Sequence, residues 1–262
     1  MDIVIMTRGR VFKQRTLRSL SSVHHNVKFY APPSECSELE RLYSVEAVPF
    51  VHDNPNYSTK FQRIVEDHDD KVCILDDDLV FSRREGNSLL MLKDEALIEH
   101  MPRLFDLIEA HLDEVAQCGV HPRQMGHLAP IPYKVNGKVI TVNGLNCAML
   151  KESGFGKTWR VDDFPLLADT FMNAHVLTKF GENRLVTQYC VDWGASQAAG
   201  GCSYRTMEMQ ENCVGGLVSA FPDFFTKVIK TPKVSKWLGD NRVDYRAQWA
   251  KMARVGGGKH PK

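Results

Sequence analysis

Short apolar runs separated by amphipathic polar stretches mark the first part of the chain. Ile3-Val4-Ile5-Met6 opens it, and similar runs recur at 27–31 and 45–51. Runs of this length and β-branched content predict buried strands. The stretches between them carry apolar residues three and four apart. They predict helices over 12–22, 34–43 and 58–67, with Ser34 and Ser58 or Thr59 as helix caps. Residues 71–81 then read Lys-Val-Cys-Ile-Leu-Asp-Asp-Asp-Leu-Val-Phe. The apolar run Val72–Leu75 predicts a strand covered on both faces, and three carboxylates stand at its end. A polar loop is expected over 83–87.

The strongest helical period lies over 94–117, where Leu97, Met101, Leu104, Ile108, Leu112 and Val115 form one apolar stripe. Pro102 should kink it or start a second segment, and Gly119 should stop it. Beyond it the pattern shortens. Strands are expected at 127–131 and at 135–142, folded around Asn136-Gly137 as a hairpin. A turn at 143–146 should enter a buried strand ending at Leu150. A helix over 169–179 should stop at Gly181, and a strand should follow at 184–191. Residues 200–203 are a small-residue loop, 220–226 a short helix, and 243–254 a final amphipathic helix. The alternation of strand and helix predicts an α/β chain with a mostly parallel, doubly wound sheet and a less regular second half.

Composition changes this picture little. The 262 residues suffice for one large α/β domain or two small ones. The net charge of +1 excludes a general basic field, so contact with nucleic acid would have to come from local patches. Lys227, Lys230, Lys233, Lys236, Arg242 and Arg246 form one such patch by sequence. The seven cysteines include no Cys-x-x-Cys pair and several sit in apolar runs. This favours buried thiols in a reducing compartment, hence a cytoplasmic location. No run reaches membrane-spanning length.

The candidate chemistry centres on Asp76, Asp77 and Asp78. Adjacent carboxylates at the end of a parallel strand repel one another unless a cation intervenes. Mg²⁺ and Mn²⁺ are commonly held by one or two carboxylates together with substrate phosphates. Val80 breaks the spacing an EF-hand needs. The alternative is a solvated acidic turn. Thr7-Arg8-Gly9-Arg10 follows the first strand, and its guanidinium groups suit bidentate phosphate contact. Two of the three glycines of a dinucleotide-binding turn are missing there. Lys60 and Arg63 share one face near a helix start, a favourable place for an anion. Asp169, alone before a helix, reads equally as an N-cap.

Taken in order, Thr7-Arg8-Gly9-Arg10, the helix with Lys60 and Arg63, and the strand ending in Asp76-x-Asp78 resemble the GT-A class of nucleotide-sugar glycosyltransferases. Met6–Arg10, Ile74–Asp78 and Gly200-Gly201-Cys202-Ser203-Tyr204-Arg205 look like the TET/JBP-associated glycosyltransferases, many of them from bacteriophages. The resemblance implies a GT-A-like fold and transfer of a sugar from a nucleotide-sugar, a UDP-sugar first of all, to the hydroxyl of a 5-hydroxymethylpyrimidine in DNA. It implies a single domain over 1–254, with a nucleotide-binding half (1–92) and an acceptor half (93–254), then a flexible tail (255–262). It also implies Mn²⁺ or Mg²⁺ on Asp76 and Asp78, and donor contacts from Thr7, Arg8, Arg10, Lys60, Arg63, Asp76 and Asp77. The general base would be Asp169 or Asp163, since Ala168 stands where the family's first acid is usual. Trp193, Gly200, Gly201, Tyr204 and Arg205 would meet the acceptor, with Trp159 a further candidate for stacking on a flipped base. For a phage-encoded enzyme the compartment would be the host cytoplasm. The competing readings are a glycosyltransferase on another acceptor, a nucleotidyltransferase, and a non-catalytic nucleotide- or DNA-binding module.

Overall fold

The computed structural model describes residues 1–50, 57–124, 126–157, 165–194, 204–231 and 241–257. In chain order the elements are β1 (Asp2–Met6), α1 (Arg15–Ser19), β2 (Val27–Ala31), α2 (Pro33–Tyr43), β3 (Ala47–Pro49), α3 (Tyr57–Asp67), β4 (Lys71–Asp76), β5 (Val80–Glu85) and β6 (Ser88–Met91). They continue with α4 (Glu95–Leu112), β7 (Gln117–Pro122), β8 (Tyr133–Val135), β9 (Val142–Asn146), α5 (Cys147–Glu152), α6 (Ala168–Phe180) and β10 (Arg184–Asp192). The chain closes with α7 (Met207–Ala220), β11 (Phe225–Lys230), β12 (Arg242–Ala247) and α8 (Trp249–Gly257).

One ten-stranded sheet organises these elements, in the order β3-β2-β1-β4-β9-β7-β10-β5-β6, with β8 paired to β10. β3, β2, β1, β4, β7, β10 and β6 point one way, whereas β9, β8 and β5 oppose them. The sheet is therefore mostly parallel, and it runs unbroken from elements before residue 92 to elements after it. β11 and β12 form a separate two-stranded sheet.

The period-2 alternation of strand side chains splits the core into two layers. Ile3, Ile5, Cys73 and Leu75 face one layer, with Leu17, Leu39, Leu104 and Ile108 from α1, α2 and α4. Val4, Met6, Val72 and Ile74 face the other, with Phe61 and Ile64 from α3, Phe171 and Val176 from α6, and Met252 from α8. Each such fully buried aliphatic side chain contributes about 1.5–3 kcal/mol. Burial on both sides is why β1 and β4 read as continuous apolar runs rather than alternating ones.

Several sequence expectations are corrected. The helix expected over 12–22 shrinks to α1 and a 3₁₀ stretch at Ser21–Asn26. Ser34 is inside α2, which starts after Pro32 without a side-chain cap. Residues 83–87 are the end of β5 and its turn into β6, not a loop. Gly119 ends no helix: it lies within β7, where a Cβ would come within 2.3 Å of Val139 Cγ1 and 2.5 Å of the Val142 carbonyl oxygen. The close passage of β9 requires the glycine. Residues 126–128 form a 3₁₀ turn rather than a strand. Asn136 (φ 57°) does turn the chain, but β8 pairs with β10, so no hairpin forms there. The buried strand is β9, and the residues after it are helix α5. Residues 225–230 and 242–247 are strands of the small sheet, and α7 is a helix that the sequence pattern does not announce.

Candidate functional site

β1, β4 and β10 all end at the same edge of the sheet, and the acidic run emerges from the end of β4. The chain does not turn back on β4. It leaves through Asp77 and Asp78 and re-enters the sheet as β5, on the far side of β10. Backbone bonds fix this exit, since the amides of Arg15 and Thr16 both donate to the Asp77 carbonyl at 3.1 Å. Thr16 Oγ1 donates to the Asp76 carbonyl (2.6 Å) and accepts from the Leu79 amide (2.9 Å). The first turn of α1 thus holds all three aspartates in place.

The three carboxylates have different fates. Asp77 is 4% exposed. It accepts from Thr7 Oγ1 at 2.6 Å and from Arg10 Nη1 at 2.6 Å. Burial pushes its carboxyl up, and the Thr7 hydroxyl and Arg10 act against that. Thr7 is itself buried and accepts from Gln14 Nε2 at 2.8 Å. Thr7 and Asp77 therefore hold the loop after β1 against the turn after β4. Asp78 is half-buried, and its Oδ2 accepts from the same Arg10 Nη1 at 2.9 Å. Gly194, just past β10, gives it room: a Cβ there would lie 2.7 Å from Asp78 Oδ2. Asp76 has no side-chain hydrogen bond among the described residues. Burial, then the charges of Asp77, Asp78 and Asp169, push its carboxyl up to about 8, and Arg205 pulls it down.

That long-range influence brings Asp169 into the same place. Asp169 is the second residue of α6, whose N-cap is Leu167, so the capping reading is overturned. Its Oδ2 pairs with Lys138 Nζ at 3.2 Å. Lys138 also donates to Tyr245 OH (2.9 Å), which meets Thr170 Oγ1 at 2.7 Å. Asp169 and Tyr245 raise the Lys138 ammonium above the ordinary lysine value against burial, which acts to lower it. Sequence reasoning missed Lys138 and Tyr245. They come from segments remote from Asp169, and no local pattern marks either of them.

Arg8 lies 5.1 Å from the centre of the Tyr204 ring, linking the loop after β1 to the segment before α7. Trp193 follows β10 and packs partly against the core, with its amide held by Asp192 Oδ1. Lys60 is 6% exposed, with its Nζ 5.4 Å from the Phe50 ring centre. Arg63 is engaged elsewhere, in a pair with Asp67 at 2.8 Å. The structure therefore gathers Asp76, Asp78, Arg10, Asp169, Arg205 and Lys138 at one edge, with Arg8 and Tyr204 beside them, while Arg63 is tied to Asp67. Asp163, Trp159, Gly200 and Gly201 lie outside the described residues, as do Lys233 and Lys236. Of the expected C-terminal basic patch, Lys227 pairs with Glu211, and Lys230 and Arg242 both pair with Asp244.

The oxygen-only donor set suits a hard divalent cation, and an unpaired carboxyl with a raised pKa is one that a cation would bind with release of a proton. Among the described residues no group of three or more His, Cys, Asp or Glu side chains is arranged to hold a metal alone. Asp76 and Asp78 would need further oxygens from a bound phosphate or from water.

No protein-family model matches the chain, and no curated protein matches it. Among solved structures it is similar to the crystal structure of mannose-1-phosphate geranyltransferase from Thermus thermophilus. The TM-score is 0.42 and the identity 11%, over 73% of this chain and 75% of that one. A likeness of that size carries no argument about chemistry, which rests on the site alone. Among the described residues no helix is long and apolar enough to cross a membrane. Cys36, Cys73, Cys118, Cys147, Cys190 and Cys213 are free thiols. A separate cavity of about 660 Å³ opens at the opposite edge, between Val115, Met149, Phe180 and Arg184, and holds none of the candidate residues.

Proposed function

We propose that the chain is a metal-dependent glycosyltransferase that moves a sugar from a nucleotide-sugar, a UDP-sugar first of all, to the hydroxyl of a 5-hydroxymethylpyrimidine in DNA. The observation that supports this reading best is the pairing of two unlike acidic groups at one sheet edge. Asp76 and Asp78 are a cation-seeking pair beside Arg10. Asp169 is a separate carboxylate held by a lysine. A site that must neutralise a leaving diphosphate and accept a proton from a hydroxyl needs both.

In this reading Asp76 and Asp78 would hold Mn²⁺ or Mg²⁺, which would supply Lewis-acid neutralisation of charge on the departing diphosphate. Arg8 and Arg10 lie on the loop after β1 and add guanidinium charge to the same end of the donor. Lys60 sits near the start of α3 for a further phosphate contact. Asp169 accepts the proton of the acceptor hydroxyl as that oxygen attacks the anomeric carbon. The bond from that carbon to the diphosphate oxygen breaks, and its electron pair leaves with the diphosphate. A single displacement of this kind inverts the anomeric centre. Lys138, held by Tyr245, orients Asp169, which makes it a positioning residue. Trp193, Tyr204 and Arg205 lie at or near the same edge, where an acceptor base would enter.

The test is incubation of the protein with Mn²⁺, a panel of UDP-sugars and DNA containing 5-hydroxymethylcytosine or 5-hydroxymethyluracil, read by nucleoside mass spectrometry. A nucleoside heavier by one sugar is expected. It should fall by about 10²–10⁴-fold in Asp169→Asn and disappear in Asp78→Ala. Release of pyrophosphate from a nucleoside triphosphate, with no sugar transfer from any donor, would replace this reading with a nucleotidyltransferase.

A further inference from the structure

The turn that carries Arg10 toward the acids also carries a phenylalanine that the fold does not use. Phe12 is 70% exposed. Its turn is nonetheless firmly held. The Lys13 amide donates to the Arg10 carbonyl at 2.8 Å, Gln14 Nε2 donates to the same carbonyl at 3.0 Å, and Tyr43 OH donates to the Val11 carbonyl at 2.8 Å. A large aromatic kept in water on a fixed turn is a preorganised surface for a flat partner.

Lys13, Arg15 and Arg18 continue from it, all exposed. Arg15 and Arg18 are three apart on α1 and share a face. None of the three side chains makes an ion pair or hydrogen bond among the described residues, in contrast to Arg41, Arg63, Arg103, Arg184 and Lys227, each of which meets a carboxylate. In a chain of net charge +1 this is a local excess of positive charge. It is joined directly to the acidic edge, because the Arg15 amide bonds the Asp77 carbonyl.

We infer that Phe12, Lys13, Arg15 and Arg18 are a docking strip for a nucleic-acid strand, with phosphates on the three cations and an unpaired base stacked on Phe12. Unneutralised cations in series fit a phosphodiester backbone, and an exposed ring beside them fits a base, the combination used for single strands without sequence preference. The inference rests on the DNA acceptor of the proposed function and extends it by assigning the surface that presents the strand.

The experiment is fluorescence anisotropy of a labelled single-stranded DNA 20-mer across a salt series. It uses the full chain, Phe12→Ala, and the triple variant Lys13→Ser, Arg15→Ser, Arg18→Ser. These side chains are exposed, so folding, followed by circular dichroism, should hold. Phe12→Ala should weaken binding about 5- to 100-fold. The triple variant should weaken it at least about tenfold and flatten the slope of log affinity against log salt by about 2. Wild-type affinity with an unchanged slope in both variants would overturn the strip. So would absence of DNA binding by the wild-type chain. The transfer assay on the wild-type chain separates the two readings. Strip-dependent binding without transfer removes the proposed function and keeps the strip. Transfer to DNA with strip-independent binding does the reverse.

Discussion

Two polar clusters lie within a short distance along this sheet, and they are built on opposite terms. One is the amide network of Gln117, Asn143, Asn173 and Asn183, all buried. Asn183 Nδ2 donates to Gln117 Oε1, to the Gly137 carbonyl and to Asn173 Oδ1, and its Oδ1 accepts from the Gly137 amide. Asn173 in turn accepts from the Val139 amide and donates to the Val139 and Asp169 carbonyls. Gln117 Nε2 closes the chain on Asn143 Oδ1 at 2.8 Å. The other cluster is Asp76, Asp77 and Asp78: Asp77 and Asp78 share the Arg10 guanidinium, and the Asp76 side chain has no hydrogen bond among the described residues. The amides are neutral and largely satisfied, so burial makes them strong and specific. The acids are adjacent carboxyls with one guanidinium among them, so burial and the neighbouring charges hold the Asp76 carboxyl up, where a cation would displace its proton. The first cluster fixes the loop bearing Lys138 to the helix bearing Asp169. The second is where, on the proposed reading, a cation would bind.

The contrast can be broken most forcefully at Asn183. Asn183→Leu removes four hydrogen bonds and leaves the Gly137 amide and the Gln117 oxygen buried without partners. Each orphan costs roughly 1–3 kcal/mol. Chemical denaturation should show a loss of about 3 kcal/mol or more, with the melting temperature lower by roughly 6–12 °C for a chain of this size. A loss below about 1 kcal/mol would mean that the network is solvated and holds nothing.

The acidic cluster should respond the other way, and more mildly. A carboxyl whose folded pKa is raised to about 8 holds its proton in the folded state while the unfolded chain has already lost it. Its contribution is fully present below about pH 4, declines as pH rises between that point and about 8, and is lowest above 8. Asp76→Asn removes this decline. In metal-free buffer the variant should melt a few degrees higher than wild type at pH 8, with the gap closing toward pH 4. A variant less stable than wild type at pH 8 would show that the Asp76 carboxylate is already neutralised within the fold.

The same difference explains what is legible in the sequence. β1, β2, β4, β10 and α6 with its stop at Gly181 are readable, because contiguous apolar runs and a glycine in the left-handed region (φ 79°) are local signals. The acidic run is readable for the same reason. The amide network is not, since Gln117, Asn143, Asn173 and Asn183 are ordinary polar residues until the sheet brings them together. Gly119 looks like a helix stop because its cause, the approach of Val139 and Val142, is tertiary. The first two residues of β11 and nearly all of β12 fall in stretches that read locally as helices, because their strand pattern is set by pairing with each other, outside the main sheet. Asp169 stands out as an acid before a helix, whereas its partner Lys138 and the buttress Tyr245 lie beyond any local rule.

The most direct test of the central claim, that the acidic edge is a metal-assisted nucleotide site, is calorimetric titration of UDP into the protein with and without Mn²⁺. UDP should bind in Mn²⁺ and bind at least about tenfold more weakly, the equivalent of about 1.4 kcal/mol, when the metal is removed or when Asp78 is replaced by Ala. UDP bound equally well without Mn²⁺, or equally well by Asp78→Ala, would contradict it.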